Sequence, residues 1–273
     1  MSRPNPTDRP ALTLMELVVV IAILALLGGL VISILPNLLK RTHLAKCSDT
    51  IAALNAAWMR AYALNVRYPD GYDSLLAASG SVDTRLTSGL TAQLTTGNLS
   101  ATDVTALRSV GITRVVDLGV VPVGGSVTYD SAPLGSAGRA LAAGGSVAQL
   151  NLTAHLAAGN PLGLKRHLVR QADGTFADNS ANVRYLVFGI GPNCTGVGAG
   201  KLIQEAPVHF AGDDSINPST TYQRYLVIFS LTTNPADSTV LAAFEAAAGN
   251  DTTGPSSAEG HIRQFHDATN TEG

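Results

Sequence analysis

The stretch from Leu17 to Leu39 carries no charged residue, and one carboxylate, Glu16, stands directly before it. A helix needs about 20 mostly apolar residues to cross a bilayer, and Leu17–Leu35 with its continuation to Leu39 supplies them. A carboxylate carried to the edge of such a segment is costly unless something pairs with it. A cleaved secretory signal fits poorly. Its apolar core is shorter and ends in a small-residue site, whereas Lys40 and Arg41 follow this run at once. A plain membrane anchor remains the simple alternative. Charge does not orient the segment: Arg3 and Arg9, offset by Asp8, precede it, and Lys40, Arg41 and Lys46 follow it.

The rest of the 273 residues reads as folded chain. Hydrophobic residues make up 45% and charged residues 14%, which argues against a disordered polymer. The net charge of -2 gives no electrostatic footprint for a nucleic-acid partner. Two cysteines, Cys47 and Cys194, permit one disulfide or two separate thiols, and their spacing makes neither a metal knuckle nor a CxxC pair.

The local pattern around Glu16 is more specific. Ala11-Leu12-Thr13-Leu14-Met15-Glu16, followed by aliphatic residues, resembles the N-terminus of type IV prepilins and type II secretion pseudopilins. Thr13, Leu14, Met15 and Glu16 match that pattern directly, while Ala11 stands at its glycine position and Leu12 at its phenylalanine position. The resemblance implies a cytoplasmic leader, residues 1–11, cut by a prepilin peptidase between Ala11 and Leu12, and N-methylation of Leu12. It also implies a single-pass protein of the cytoplasmic (inner) membrane, with its N-terminus in the cytoplasm and its C-terminal domain in the periplasm. The implied fold is α+β and pilin-like, a long N-terminal helix, transmembrane in its first half, packed on an antiparallel β-sheet. The implied partners are membrane lipid, copies of itself or other pilin-like subunits, and an assembly platform with an ATPase. Glu16 would then set the register of assembly. The new amine of Leu12 in one subunit meets this carboxylate in its neighbour, and a wrong stagger leaves a buried charge unpaired. A solvated carboxylate near a helix N-terminus is the plainer account of the same residue.

Apolar residues continue past the uncharged run at steps of three and four: Leu44, Cys47, Ile51, Leu54, Trp58 and Ala61. That stripe predicts one amphipathic helix from about 13 to 66, on the order of 80 Å long at about 1.5 Å per residue. Gly28, Gly29 and Pro36 are its weak points, either a static kink or a stretch that loosens on assembly. The chain thus divides into a leader (1–11), a transmembrane or filament-core helix (12–39), its amphipathic continuation (40–68), an α+β globular domain (69–250) and a polar tail (251–273). Pro69-Asp70-Gly71 is turn chemistry, and Tyr68-Pro69 just after the helix resembles the corresponding loop of major pseudopilins. Ser100-Ala101-Thr102-Asp103 predicts a capped short helix ending at Gly111. Strands are expected at 112–123, 127–129, 183–190 and 222–231, and helices near 147–157 and over 239–248, the latter capped by Asp237-Ser238.

Catalytic patterns are missing. No G-x-S-x-G elbow occurs. The loop Gly189–Lys201 fails as a phosphate loop, because Thr195 stands where its first glycine belongs and Leu202 follows the lysine. His261 and His266 are spaced unlike a helical zinc pair. Asp213, Asp214 and Asn217 are the densest oxygen-ligand group, a candidate calcium loop or a solvated turn. Calcium often stabilises major pseudopilins near the C-terminal end, so the resemblance favours testing that ion. The expectation is a structural, non-enzymatic subunit of a pilin-like filament: a type II secretion pseudopilin, or alternatively a type IV pilus subunit for adhesion, motility or DNA uptake. A membrane-anchored binding or enzyme domain that never polymerises is the third class.

Overall fold

The computed structural model describes residues 14–77, 79–86, 88–118, 138–153, 168–170, 175–178, 182–207, 222, 224–233 and 240–248. Its first element, α1, is a helix over Leu14–Asn65, within one residue of the bounds expected at either end. It stops where Val66 turns into the left-handed region (φ 54) and donates its N–H to the Tyr62 carbonyl at 2.8 Å. Close packing divides the chain into two units, Met1–Ala45 and Lys46–Gly273.

Among the described residues two short helices and ten strands follow: β1 (Tyr72–Asp73), α2 (Ser88–Gln93), β2 (Leu94–Asn98), α3 (Ala101–Ser109), β3 (Arg114–Val116), β4 (Arg139–Ala140), β5 (Ser146–Leu150), β6 (Leu168–Arg170), β7 (Phe176–Asp178), β8 (Val183–Gly189), β9 (Leu226–Thr233) and β10 (Val240–Ala248). Eight strands form one sheet in the order β10-β9-β8-β1-β3-β4, with β5 joining β8 to β2; β6 and β7 pair apart from it. One edge of β8 is shared. Gln149 of β5 lies opposite Leu186, and Asp73 of β1 lies opposite Gly189.

This corrects the pilin-like α+β expectation of a helix laid on an antiparallel sheet. The sheet is mixed and curled into a half-barrel. β1 runs parallel to β3, Tyr72 beside Val115 and Asp73 beside Val116. Parallel neighbours require a crossover of a dozen residues or more, and the chain between them supplies one that carries α2, β2 and α3. The membrane expectation is corrected as well. Among the described residues no helix is long and apolar enough to cross a membrane. The expected single-pass inner-membrane placement therefore conflicts with the structure.

One expected helix is a strand, and another begins as one, with only Leu152 and Thr153 helical among its described residues. β5 occupies the start of 147–157 and pairs antiparallel with all of β2, from Leu94 opposite Leu150 to Asn98 opposite Ser146. β10 replaces the alanine-rich helix and pairs along β9 from Val240 opposite Thr233 to Ala248 opposite Leu226. Alanine favours helix intrinsically, but β9 is buried through Leu231 and presents a full edge of backbone donors and acceptors. Pairing that edge outweighs a propensity of tenths of a kcal/mol per residue. The register shifts between Phe244 and Ala246, a bulge on the outermost strand. Within the described part of the strand expected over 112–123, only β3 is extended, and the strand expected over 222–231 begins at Leu226; 119–123 and 127–129 lie outside the described residues.

The core gathers Ile51, Leu54 and Trp58 of α1 with Tyr72, Leu107, Ile112, Leu186, Phe188 and Phe229. Tyr72, Phe188 and Phe229 lie ring to ring at 5.7–6.1 Å between centroids. Trp58 satisfies its buried Nε1–H by donating to the Tyr72 hydroxyl at 2.8 Å. α3 is capped as expected. The Ser100 hydroxyl accepts from the Asp103 N–H at 3.1 Å, and the Asp103 carboxylate accepts from the Ser100 N–H at 2.7 Å.

Candidate functional site

The described part of the first unit is an exposed aliphatic surface. Leu14, Met15, Leu17, Val18, Val19, Val20, Ile21, Ile23, Leu24, Leu26 and Leu27 are each between 48% and 81% exposed. Glu16 is exposed among them in the first helical turn, where a carboxylate is favoured by the backbone N–H groups of the helix start. Gly28 and Gly29 continue the helix and have open space where a side chain would project. The helix also runs across Pro36. Ala11 and Leu12 lie outside the described residues, as do Asp213, Asp214 and Asn217. Among the described residues no group of three or more His, Cys, Asp and Glu is placed to hold a metal ion.

Cys194 is a free, buried thiol, so it forms no disulfide with Cys47, whose side chain is outside the described set. Burial pushes it up to about 12, assisted by the nearby charges of Asp73 and Asp70. A thiol so held is inert as a nucleophile at neutral pH.

The turn expected at Pro69-Asp70-Gly71 anchors two loops. Gly71 sits at φ 77, which glycine adopts without strain. Asp70 Oδ1 accepts from the N–H groups of Gly71, Thr113 and Arg114 at 2.8–3.0 Å, and Oδ2 accepts from the Thr113 hydroxyl. The main chain of Asp70 holds Thr195 in both directions. Its N–H donates to Thr195 Oγ1 at 2.7 Å, and its carbonyl accepts from the Thr195 N–H at 2.8 Å. The Gly-rich loop beyond is closed on itself: the N–H groups of Cys194, Val197, Gly198 and Lys201 donate to carbonyls of Gly191, Cys194, Ile203 and Gly198. Those donors are spent internally and do not cradle a phosphate, in agreement with the failed phosphate-loop spacing.

One polar group in the core was not legible in the sequence. Asp73, on β1, is fully buried. Its Oδ2 accepts from the Tyr222 hydroxyl at 2.8 Å, and Oδ1 has no hydrogen-bond partner among the described residues. Burial raises its carboxyl to about 6, against the opposing pull of the Tyr222 hydrogen bond and the Arg224 charge. Arg224 is also buried, and its Nε and Nη2 have no hydrogen-bond partner among the described residues. Gly191 is required beside this group, because a β-carbon there would fall on the Asp73 carboxylate. The contact with Tyr222, 149 positions away, has no local signal in the sequence.

The other ion pairs are structural. Arg85 pairs with Asp83 at 2.6 Å. Arg139 pairs with Asp117 at 3.0 Å, and Asp117 also accepts from the Ser74 hydroxyl at 2.7 Å. Arg184 pairs with the capping Asp103. Nothing in these groups places a nucleophile beside a base and an oxyanion donor. No protein-family model matches the chain, and no curated protein or solved structure matches it either.

Proposed function

We propose that the protein is a non-catalytic filament subunit that assembles through its N-terminal helix after residues 1–11 are removed. The exposed aliphatic face from Leu14 to Leu27 carries this reading. Soluble monomers rarely leave so continuous an apolar patch uncovered, and covering it yields about 25 cal/mol for each Å² removed from water. The same helix from further subunits is a cover of matching length and chemistry. Between such helices Glu16 is the natural register device, neutralised by the α-amine of Leu12 in the adjacent subunit and penalised in any other stagger. The resemblance at residues 11–16 supports processing by a prepilin peptidase and extension by an assembly ATPase. The Tyr68-Pro69-Asp70-Gly71 turn favours a type II secretion pseudopilus over a type IV pilus.

Intact-mass measurement of native protein tests the processing step. The expected species lacks residues 1–11 and carries one added methyl group. Sedimentation and electron microscopy then test assembly: processed wild type forms filaments, and Glu16→Ala abolishes them while the thermal unfolding of the subunit is unchanged. Processed protein that remains monomeric, or filaments unaffected by Glu16→Ala, would overturn the reading. Loss of exported proteins rather than of long surface fibres in a deletion strain identifies the secretion form.

A further inference from the structure

A second feature of the surface is independent of the filament reading. A cleft of about 390 Å³ opens between the end of α1, the turn after it and the loop that carries Lys201. Its apolar lining includes Tyr68, Pro69 and Leu202. Tyr68 is buried, stacked on Tyr62 at 4.6 Å between ring centroids and edge-on to Phe229 at 5.3 Å. Its N–H donates to the Val110 carbonyl at 2.7 Å. Pro69 packs so closely on Gly196 that a β-carbon at Gly196 would come 2.9 Å from the proline ring. Arg67 and Lys201 both line the cleft and are exposed, Asn65 lines it as well, and no carboxylate does so among the described residues. The nearest acid in the sequence, Asp70, is occupied by the donors of Gly71, Thr113 and Arg114.

Lys201 does not sit on a loose loop. Gly198 and Gly200 turn through φ 132 and 75. The Gly198 and Ile203 N–H groups close the base at 2.9 and 3.1 Å, and the Lys201 N–H bonds the Gly198 carbonyl at 3.0 Å. A main chain already ordered at Lys201 lowers the entropic cost of binding there. Two cations beside an aromatic and proline lining fit a carboxylate on a short apolar body.

We propose that this cleft binds an apolar carboxylate, with the acid between Arg67 and Lys201 and the apolar part on Tyr68 and Pro69. That chemistry is shared by a free organic acid and by the C-terminal residue of a peptide. Titration of the full chain with N-acetyl-leucine, followed by NMR or calorimetry, tests it against N-acetyl-leucinamide, which lacks the charge. The expected result is binding of the acid at least tenfold tighter than the amide, with a further several-fold loss for Arg67→Gln and for Lys201→Gln. Unchanged thermal unfolding of both variants separates lost binding from lost folding. A hexapeptide ending in leucine with a free C-terminus identifies the source. Binding at least as tight as N-acetyl-leucine assigns a peptide end; exclusion of the peptide assigns a free acid. Equal binding of acid and amide, no saturable binding of either, or full affinity in both variants would overturn the proposal.

Discussion

The described parts of α1 on either side of its middle teach opposite lessons from similar amino acids. From Leu14 to Leu27 every large aliphatic side chain is about half exposed or more, whereas Ile51, Leu54, Trp58 and Ala61 are at most 3% exposed. The second stretch finds its apolar partners within its own folding unit, in Tyr72, Phe188 and Phe229. The first does not, among the described residues, and its aliphatic surface is exposed. Helix formation is common to both; burial is a property of what stands opposite.

The largest expected break in this contrast is Trp58→Ala. It removes a fully buried indole and leaves the Tyr72 hydroxyl without its donor. Loss of about 3–5 kcal/mol of folding stability is expected, read as a lower urea midpoint at unchanged slope. Retention of wild-type stability would mean that the second stretch of the helix is not part of the core.

A somewhat smaller effect lies in the core beside it. The Asp73 carboxyl titrates near 6 when folded, raised mainly by burial from a usual value of 3.8. The folded state therefore holds this proton more tightly than the unfolded state. Its favourable contribution is complete below about pH 3.8 and is lost as pH rises through about 6. A shift of about two units corresponds to on the order of 3 kcal/mol. Asp73→Asn is expected to flatten the decline in stability between pH 4 and 7, measured as chemical denaturation at stepped pH. An unaltered pH profile would show that Asp73 is not the buried proton binder.

The smallest effect on folding, and the one that sharpens the comparison most, is Leu24→Ser. At 62% exposure its removal is expected to change subunit stability by less than about 0.5 kcal/mol, yet to weaken self-association measurably by sedimentation. A large loss of folding stability instead would show that this face is already covered within the subunit.

Much of the molecule's local structure was legible before any coordinates. Steps of three and four among Ile51, Leu54, Trp58 and Ala61 marked the buried stripe, and Ser100 with Asp103 marked a helix start. These signals work because they concern neighbours within one or two turns. The candidate assembly face was legible for a similar reason, since an uncharged run beginning at Leu17 needs no partner to be recognised. The cleft was not: Arg67 and Lys201 are far apart in the chain, and the Asp70–Thr195 hydrogen bonds and the close packing of Pro69 on Gly196 bring their loops together.

Composition and periodicity alone established where the long helix runs, where the chain turns at Gly71 and which strands are thoroughly apolar. They could not tell that Val240–Ala248 is a strand, that β1 lies parallel to β3, or that Asp73 is buried against Tyr222. Those outcomes depend on unpaired sheet edges and on partners contributed by distant segments. A backbone edge that must be hydrogen-bonded outweighs an alanine preference, and no window of neighbouring residues contains the edge it will meet.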